Sequence, residues 1–198
     1  MPDANARLRH SNLGAFFRPS QVEKAGLSYH ELQLLVASGR VEHVSRGLYR
    51  LAGAEASENY SLAAACARVP SAIVCLLTAL RVHGIGTQVP HEIWLAIPRG
   101  TRTPKGAGVR LRVVRFSGAA LTCGVVHTRF EGVPARITTP VRTVLDCFRF
   151  ERLIGRETAH EALRDALRQK LVTVDMLDRA LQELPSRRLH HVLEAIAS

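Results

Sequence analysis

The sequence predicts an α/β chain, of the α+β kind, in two parts: a small helix–helix–hairpin module, then a mixed α/β part that ends in helices. Three observations lead there. Residues 19–51 run as two helical segments and then two short apolar runs around Ser45-Arg46-Gly47. The middle of the chain, 93–137, holds four more short apolar runs of strand length. Residues 157–198 return to helical periodicity.

Taken in order, Pro19–Lys24 reads as a short helix, with proline suited to a first helical turn. Ala25-Gly26-Leu27 breaks it. Ser28 is a good N-cap and Glu31, three residues on, completes a capping box. Leu32, Leu35 and Val36 then share one face of a helix that stops at Gly39. Val41–Val44 and Leu48–Leu51 read as a strand pair. Small and polar residues at Gly53-Ala54-Glu55-Ala56-Ser57 place a boundary, dividing residues 1–53 from 54–198. Tyr60–Arg68 and Ala72–His83 read as helices, the second stopped by Gly84. Ile93–Ile97 and Val109–Val114 suit sheet strands, and Val125–Phe130 with Val133–Ile137 form a further pair joined at Glu131-Gly132. Thr139-Pro140 starts a helix. Glu157–Lys170, Val174–Leu184 and Ser186–Ala197 complete the chain as helices.

Composition narrows the function class. The 198 residues carry 27 Lys+Arg against 17 Asp+Glu, a net +10, and only Lys24, Lys105 and Lys170 are lysines. An arginine-rich basic chain makes nucleic acid the leading partner class, although a GC-rich genome also favours arginine. The excess is uneven: residues 99–156 hold 12 basic and 3 acidic residues, whereas residues 1–53 amount to only +3. No apolar run reaches the ~18 residues of a membrane span. The start, Met-Pro-Asp-Ala-Asn-Ala-Arg, has no apolar signal core, so the expectation is a cytoplasmic protein without a membrane role. Cys66, Cys75, Cys123 and Cys147 lack paired metal-ligand spacing and read as reduced structural thiols.

The order of elements in 19–51 is that of a winged helix-turn-helix. Its second helix can lie in the major groove with its first residues at base edges. Ser28, Tyr29, His30 and Gln33 are then the candidate DNA contacts, with Gln33 suited to adenine, and Arg46 at the hairpin tip is placed for a minor groove or the backbone. A first helix for such a module has to come from Asn5–Phe17, which is weakly patterned. In the basic stretch, Arg110 and Arg112 alternate with Val109, Leu111 and Val113, predicting one arginine-rich sheet face. Arg99, Arg102 and Lys105 precede them in a Gly/Pro-containing loop. These five are candidates for contact with DNA phosphate, RNA or an acidic protein partner.

Residues 14–51, with Val22-Glu23-Lys24-Ala25-Gly26-Leu27 and Val44-Ser45-Arg46-Gly47-Leu48-Tyr49-Arg50, resemble the N-terminal domain of AbiEi-type antitoxins. The resemblance extends to Thr78–Ile85, Pro90–Pro98 and Thr139-Pro140-Val141-Arg142-Thr143-Val144-Leu145-Asp146-Cys147, covering most of residues 14–170. It implies a two-domain regulator of a type IV toxin–antitoxin system. The winged helix would bind inverted repeats in its own promoter, as a monomer in solution or by pairing on DNA. The second domain would help counteract a nucleotidyltransferase-type toxin.

Catalytic signals are sparse. Glu131, Asp146 and Glu151 are the only acids in 99–156, so a metal-dependent nuclease would lack its carboxylate cluster. No phosphate-binding glycine loop is present. His83, His127 and Asp146 invite a catalytic reading, but His83 suits a helix C-terminus and Asp146 can pair with Arg142 or Arg149 on its own helix. The expectation is a non-enzymatic regulator without cofactor or metal. The alternatives are a stand-alone DNA-binding module without a toxin, and a nucleic-acid-processing enzyme.

Overall fold

The computed structural model of the chain describes residues 7, 8, 11, 13, 16–45, 47–53, 59–103 and 110–197. These divide into two compact units, the first built on the chain up to Pro70 with Thr128–Ala135, the second on the remaining described residues from Ser71 onward.

In the first unit the elements are β1 (Phe16–Phe17), α1 (Pro19–Lys24), α2 (Tyr29–Ala37), β2 (Val41–Ser45), β3 (Leu48–Leu51) and α3 (Tyr60–Arg68). The strands form an antiparallel ribbon in the order β1-β3-β2, with Phe17 opposite Tyr49 and Val41 opposite Leu51. Leu8, Phe17, Val22, Leu27, Leu32, Leu35, Val41 and Tyr49 close one core. Within Asn5–Phe17, the weakly patterned stretch from which a first helix had to come, the described residues Arg7 and Leu8 are helical and Phe16–Phe17 form a strand. Successive strand residues point to opposite faces. Each phenylalanine therefore finds its own partner, Phe17 the Tyr49 ring at 6.4 Å and Phe16 the Tyr60 ring at 4.9 Å. Arg18 then donates to Ala67 O and Arg68 O at the end of α3, satisfying carbonyls that a helix C-terminus leaves open.

From Ser71 onward the chain makes a mixed sheet ordered β6-β5-β4-β8-β7, from β4 (Ile73–Val74), β5 (Ile93–Pro98), β6 (Leu111–Phe116), β7 (Val125–Phe130) and β8 (Val133–Thr138), of which Thr128–Ala135 falls in the first unit and the rest in the second. β4 is antiparallel to β5 and parallel to β8, and β5 is parallel to β6. The β7–β8 connection, Glu131-Gly132, has both residues at positive φ (50° and 76°), the two-residue turn that matches strand twist. Helices α4 (Leu76–His83), α5 (Pro140–Arg149), α6 (Glu151–Ile154), α7 (Arg156–Arg168), α8 (Val174–Glu183) and α9 (Arg187–Ala197) accompany it, with a 3-10 turn at Gly118–Leu121. α5 is the hub, touching α4, α7, α8 and α9 and burying every residue from Arg142 to Phe148.

One helix over Ala72–His83 was the expectation; the structure makes Ile73–Val74 a strand and starts the helix at Leu76. Ile73 pairs with Ala96 on one side and Arg136 on the other. A short apolar run does not distinguish buried strand from buried helix, and partners on both sides decided it. The strand expected at Val109–Val114 lies instead at Leu111–Phe116, and Val109 falls outside the described residues.

Candidate nucleic-acid interface

The N-terminus of α2 is set by its own sequence. The Ser28 hydroxyl accepts the Glu31 N–H at 3.2 Å, while the Glu31 carboxylate accepts the Ser28 N–H at 2.8 Å. Arg7 adds an ion pair to Glu31 and donates to Gly26 O at 2.8 Å, so the turn between α1 and α2 is tied to the cap. These donors hold the Glu31 carboxyl below its ordinary range, the Ser28 backbone contributing most. Replacing an N-cap serine costs about 1 kcal/mol.

Leu32 and Leu35 point into the core, which turns the opposite face outward. Ser28, Tyr29 and His30 are exposed there as expected, Tyr29 at 55%. Gln33 is half-buried, and its Nε2 donates to the Tyr49 hydroxyl at 3.5 Å. Tyr29 also hydrogen-bonds to Tyr49, which raises the Tyr29 phenol above its usual value. Tyr49 is itself nearly buried on β3. The outward face continues through Leu34, 56% exposed, and Ala37. Sequence reasoning missed Leu34, which reads as core by residue type. Its signal was angular: at 100° per residue, position 34 follows 30 and 33 and not 32 and 35. Arg46 lies outside the described residues. The neighbouring Arg50 is committed to Glu42 at 2.6 Å and to the Tyr60 ring.

The five candidates in the basic stretch separate. Arg99 and Arg102 are exposed just beyond the C-terminal end of β5, in a loop that Arg115 clamps through Pro98 O, Thr101 O and Thr103 Oγ1. Arg110 and Arg112 are exposed at the opposite end of the parallel β5–β6 pair, where Trp94 faces Arg112. A six-residue strand is about 20 Å long. Lys105 lies outside the described residues. The arginine-rich face is corrected: Arg112 shares its face with Val114 and Phe116, which enter the core, and its guanidinium sits 5.7 Å from the Trp94 ring. Apolar and basic residues do not alternate strictly along β6, because Val113 and Val114 are adjacent.

The histidine and acid singled out for chemistry have structural partners. Asp146 is fully buried, with Arg142 at 2.9 Å and Arg149 at 3.0 Å. Burial pushes its carboxyl upward, against the pull of both guanidinium groups. Arg142, also buried, donates to Ala120 O at 2.9 Å and to Cys123 O, and lies 4.8 Å from the Phe116 ring. Thr139 caps α5, and the Thr143 hydroxyl bonds Thr139 O and Thr138. The Thr-Pro-x-Arg-Thr-x-x-Asp segment is thus a helix start wired to a buried ion pair. His83 meets Thr138 O at 2.7 Å, and burial lowers its imidazole pKa. His127 is exposed on β7. Among the described residues no three His, Cys, Asp or Glu side chains are grouped to hold a metal, and no helix is long and apolar enough to cross a membrane.

Two comparisons with known proteins bear on this arrangement. The fold is similar to that of the RV2827C protein from Mycobacterium tuberculosis, known from a crystal structure. The TM-score is 0.55 at 16% identity, over 92% of this chain and 72% of that one. A family model described as transcriptional regulator, AbiEi antitoxin, matches residues 7–52, the span of the capped helix pair and the hairpin. Through that N-terminal segment, and over residues 7–52 alone, the chain is similar to the AbiEi antitoxin family of transcriptional regulators.

Proposed function

We propose that the chain is a cytoplasmic DNA-binding regulator and the antitoxin of a type IV toxin–antitoxin system. In this reading residues 1–53 bind inverted repeats in its own promoter and repress it. Residues 54–198 help counteract a nucleotidyltransferase-type toxin and carry no catalysis. Ser28, Tyr29, His30 and Gln33 contact bases or phosphates, with Arg46 on the wing. Arg99, Arg102, Lys105, Arg110 and Arg112 supply anion contacts. The observation that carries the reading is the outward face of α2 from Ser28 to Ala37, presented by a rigid cap inside the segment that matches the regulator family.

The test is binding of the full chain to the DNA upstream of its own gene, against scrambled DNA, over a salt series. Specific binding that Gln33→Ala and His30→Ala weaken at least tenfold supports repression by this face. Equal, steeply salt-dependent binding to both DNAs overturns it. Co-expression with a toxin-type neighbouring reading frame tests the antitoxin half by rescue of growth. A second reading, a DNA-binding module without a toxin, draws on one observation: the family match stops at residue 52, before the second unit.

A further inference from the structure

We infer that α2 reads A·T base pairs, with Gln33 on adenine, Leu34 on the thymine methyl group, and Tyr49 as the positioning residue that fixes the Gln33 amide. The inference rests on the DNA-binding reading proposed above and adds which bases it selects.

Three features of the interface carry it. First, the helix Tyr-His-Glu-Leu-Gln-Leu-Leu-Val-Ala contains no lysine or arginine. The commonest specific contact to guanine is a two-pronged one from those side chains to O6 and N7. The two ring nitrogens of His30 point in divergent directions and cannot both reach O6 and N7 of one guanine. Second, Gln33 is not a free amide. One of its two Nε2 hydrogens is taken by the Tyr49 hydroxyl. The remaining N–H and the Oε1 are the donor–acceptor pair that adenine N7 and N6 complement. Guanine presents two acceptors at those positions, so a fixed Oε1 there would face another acceptor. Tyr49 is nearly buried, lies 6.4 Å from the Phe17 ring and 5.0 Å from the His43 ring, and also bonds Tyr29. Its hydroxyl is therefore held from behind, and the amide inherits its orientation. Third, Leu34 is next to Gln33 and 56% exposed. An exposed isobutyl group on the same outward face has no polar complement in a groove, but it does have an apolar one, the thymine 5-methyl group.

The experiment starts from duplexes selected by the full chain from a randomised DNA pool. Enrichment of sites with invariant A·T pairs is expected. In the best such duplex, replacing the contacted thymine by uracil should weaken binding several-fold for the wild type and not for Leu34→Ala. Exchanging the contacted A·T pair for G·C should weaken the wild type about tenfold or more. Tyr49→Phe, which keeps the ring in the core, should lose most of that discrimination at this one position while leaving the salt dependence and the other positions unchanged. A merely structural role for Tyr49 would lower affinity at all positions alike. Enriched sites whose invariant pairs are G·C, with no uracil effect, overturn the inference and leave DNA binding standing. A pool that yields no enriched sequence overturns both. The uracil exchange alters only the DNA, so an unfolded variant cannot account for its outcome.

Discussion

At the scale of single residues, Arg142 shows how a sequence count can mislead. Counted as charge it belongs to the most basic stretch of the chain; in the fold it is internal, with Asp146 beside it and two backbone carbonyls beneath. Removing one member of such a pair leaves the other charged, buried and unpaired. Asp146→Ala should therefore destabilise the chain by about 3–5 kcal/mol, measured by urea unfolding. Gly124 is locked to the same place: with φ at +60°, a Cβ there would stand 2.7 Å from Arg142 Cβ. His83 makes a pH prediction. Its folded-state pKa is lowered by burial from 6.5. A depressed histidine contributes stability that is present above the unfolded value and lost as pH falls through the folded one. The melting temperature should fall between pH 7 and pH 5, and His83→Gln should fall less steeply over that window. The sequence could place Asp146 near Arg142 and Arg149, because i, i+3 and i, i+4 neighbours are a property of any helix. It could not show that the pair is buried or that its other ligands come from residues 120 and 123.

At the scale of elements, helices with written ends were legible and strands whose partners are distant were not. α1, α2 and α3 begin where the proline, the Ser28 capping box and the apolar period put them. The Glu131-Gly132 hairpin was equally local. By contrast β4 is two residues long and exists only because β5 and β8 flank it. β1 likewise depends on β3, thirty-odd residues away. The end of α7 offers a test of how local such signals are. Leu171 N bonds Ala166 O at 3.0 Å and Lys170 N bonds Leu167 O, the closing pattern of a helix whose next residue is left-handed. That residue is Lys170, at φ 59°, where glycine is the usual choice. Lys170→Gly should stabilise the second unit by about 1 kcal/mol, seen as a raised melting temperature.

At the scale of the whole molecule, the +10 net charge stands, but its spatial meaning differs from an even reading of the sequence. Arg99 and Arg102 lie at one end of the β5–β6 pair, Arg110 and Arg112 at the other. Two clusters a strand length apart do not engage the same phosphates. If the first contacts DNA, the double substitution Arg99→Gln with Arg102→Gln should reduce the slope of log affinity against log salt by about 2, each phosphate contact contributing about 0.9. Arg110→Gln with Arg112→Gln measures the other end independently, and equal slopes for all three proteins would assign neither pair to DNA. The candidate interface on α2 was readable because a helix displays its outer face in its own sequence. The basic surface was not, because strand position, edge and end are fixed by pairing.

The arginines that donate to backbone carbonyls also have a genetic consequence. Arg18, Arg115, Arg136 and Arg142 each hold main-chain oxygens of another segment, and the forked guanidinium reaches more than one acceptor in a way a single ammonium does not. A genome drifting toward A·T would trade arginine codons for lysine at exposed positions such as 99, 102 and 110 with little penalty to folding. At 18, 115 and 142, where one guanidinium serves several oxygens, the same drift would be resisted. Across related genes of differing base composition, the arginines that persist would mark the internal fasteners of the fold, and those that exchange would mark its charged exterior.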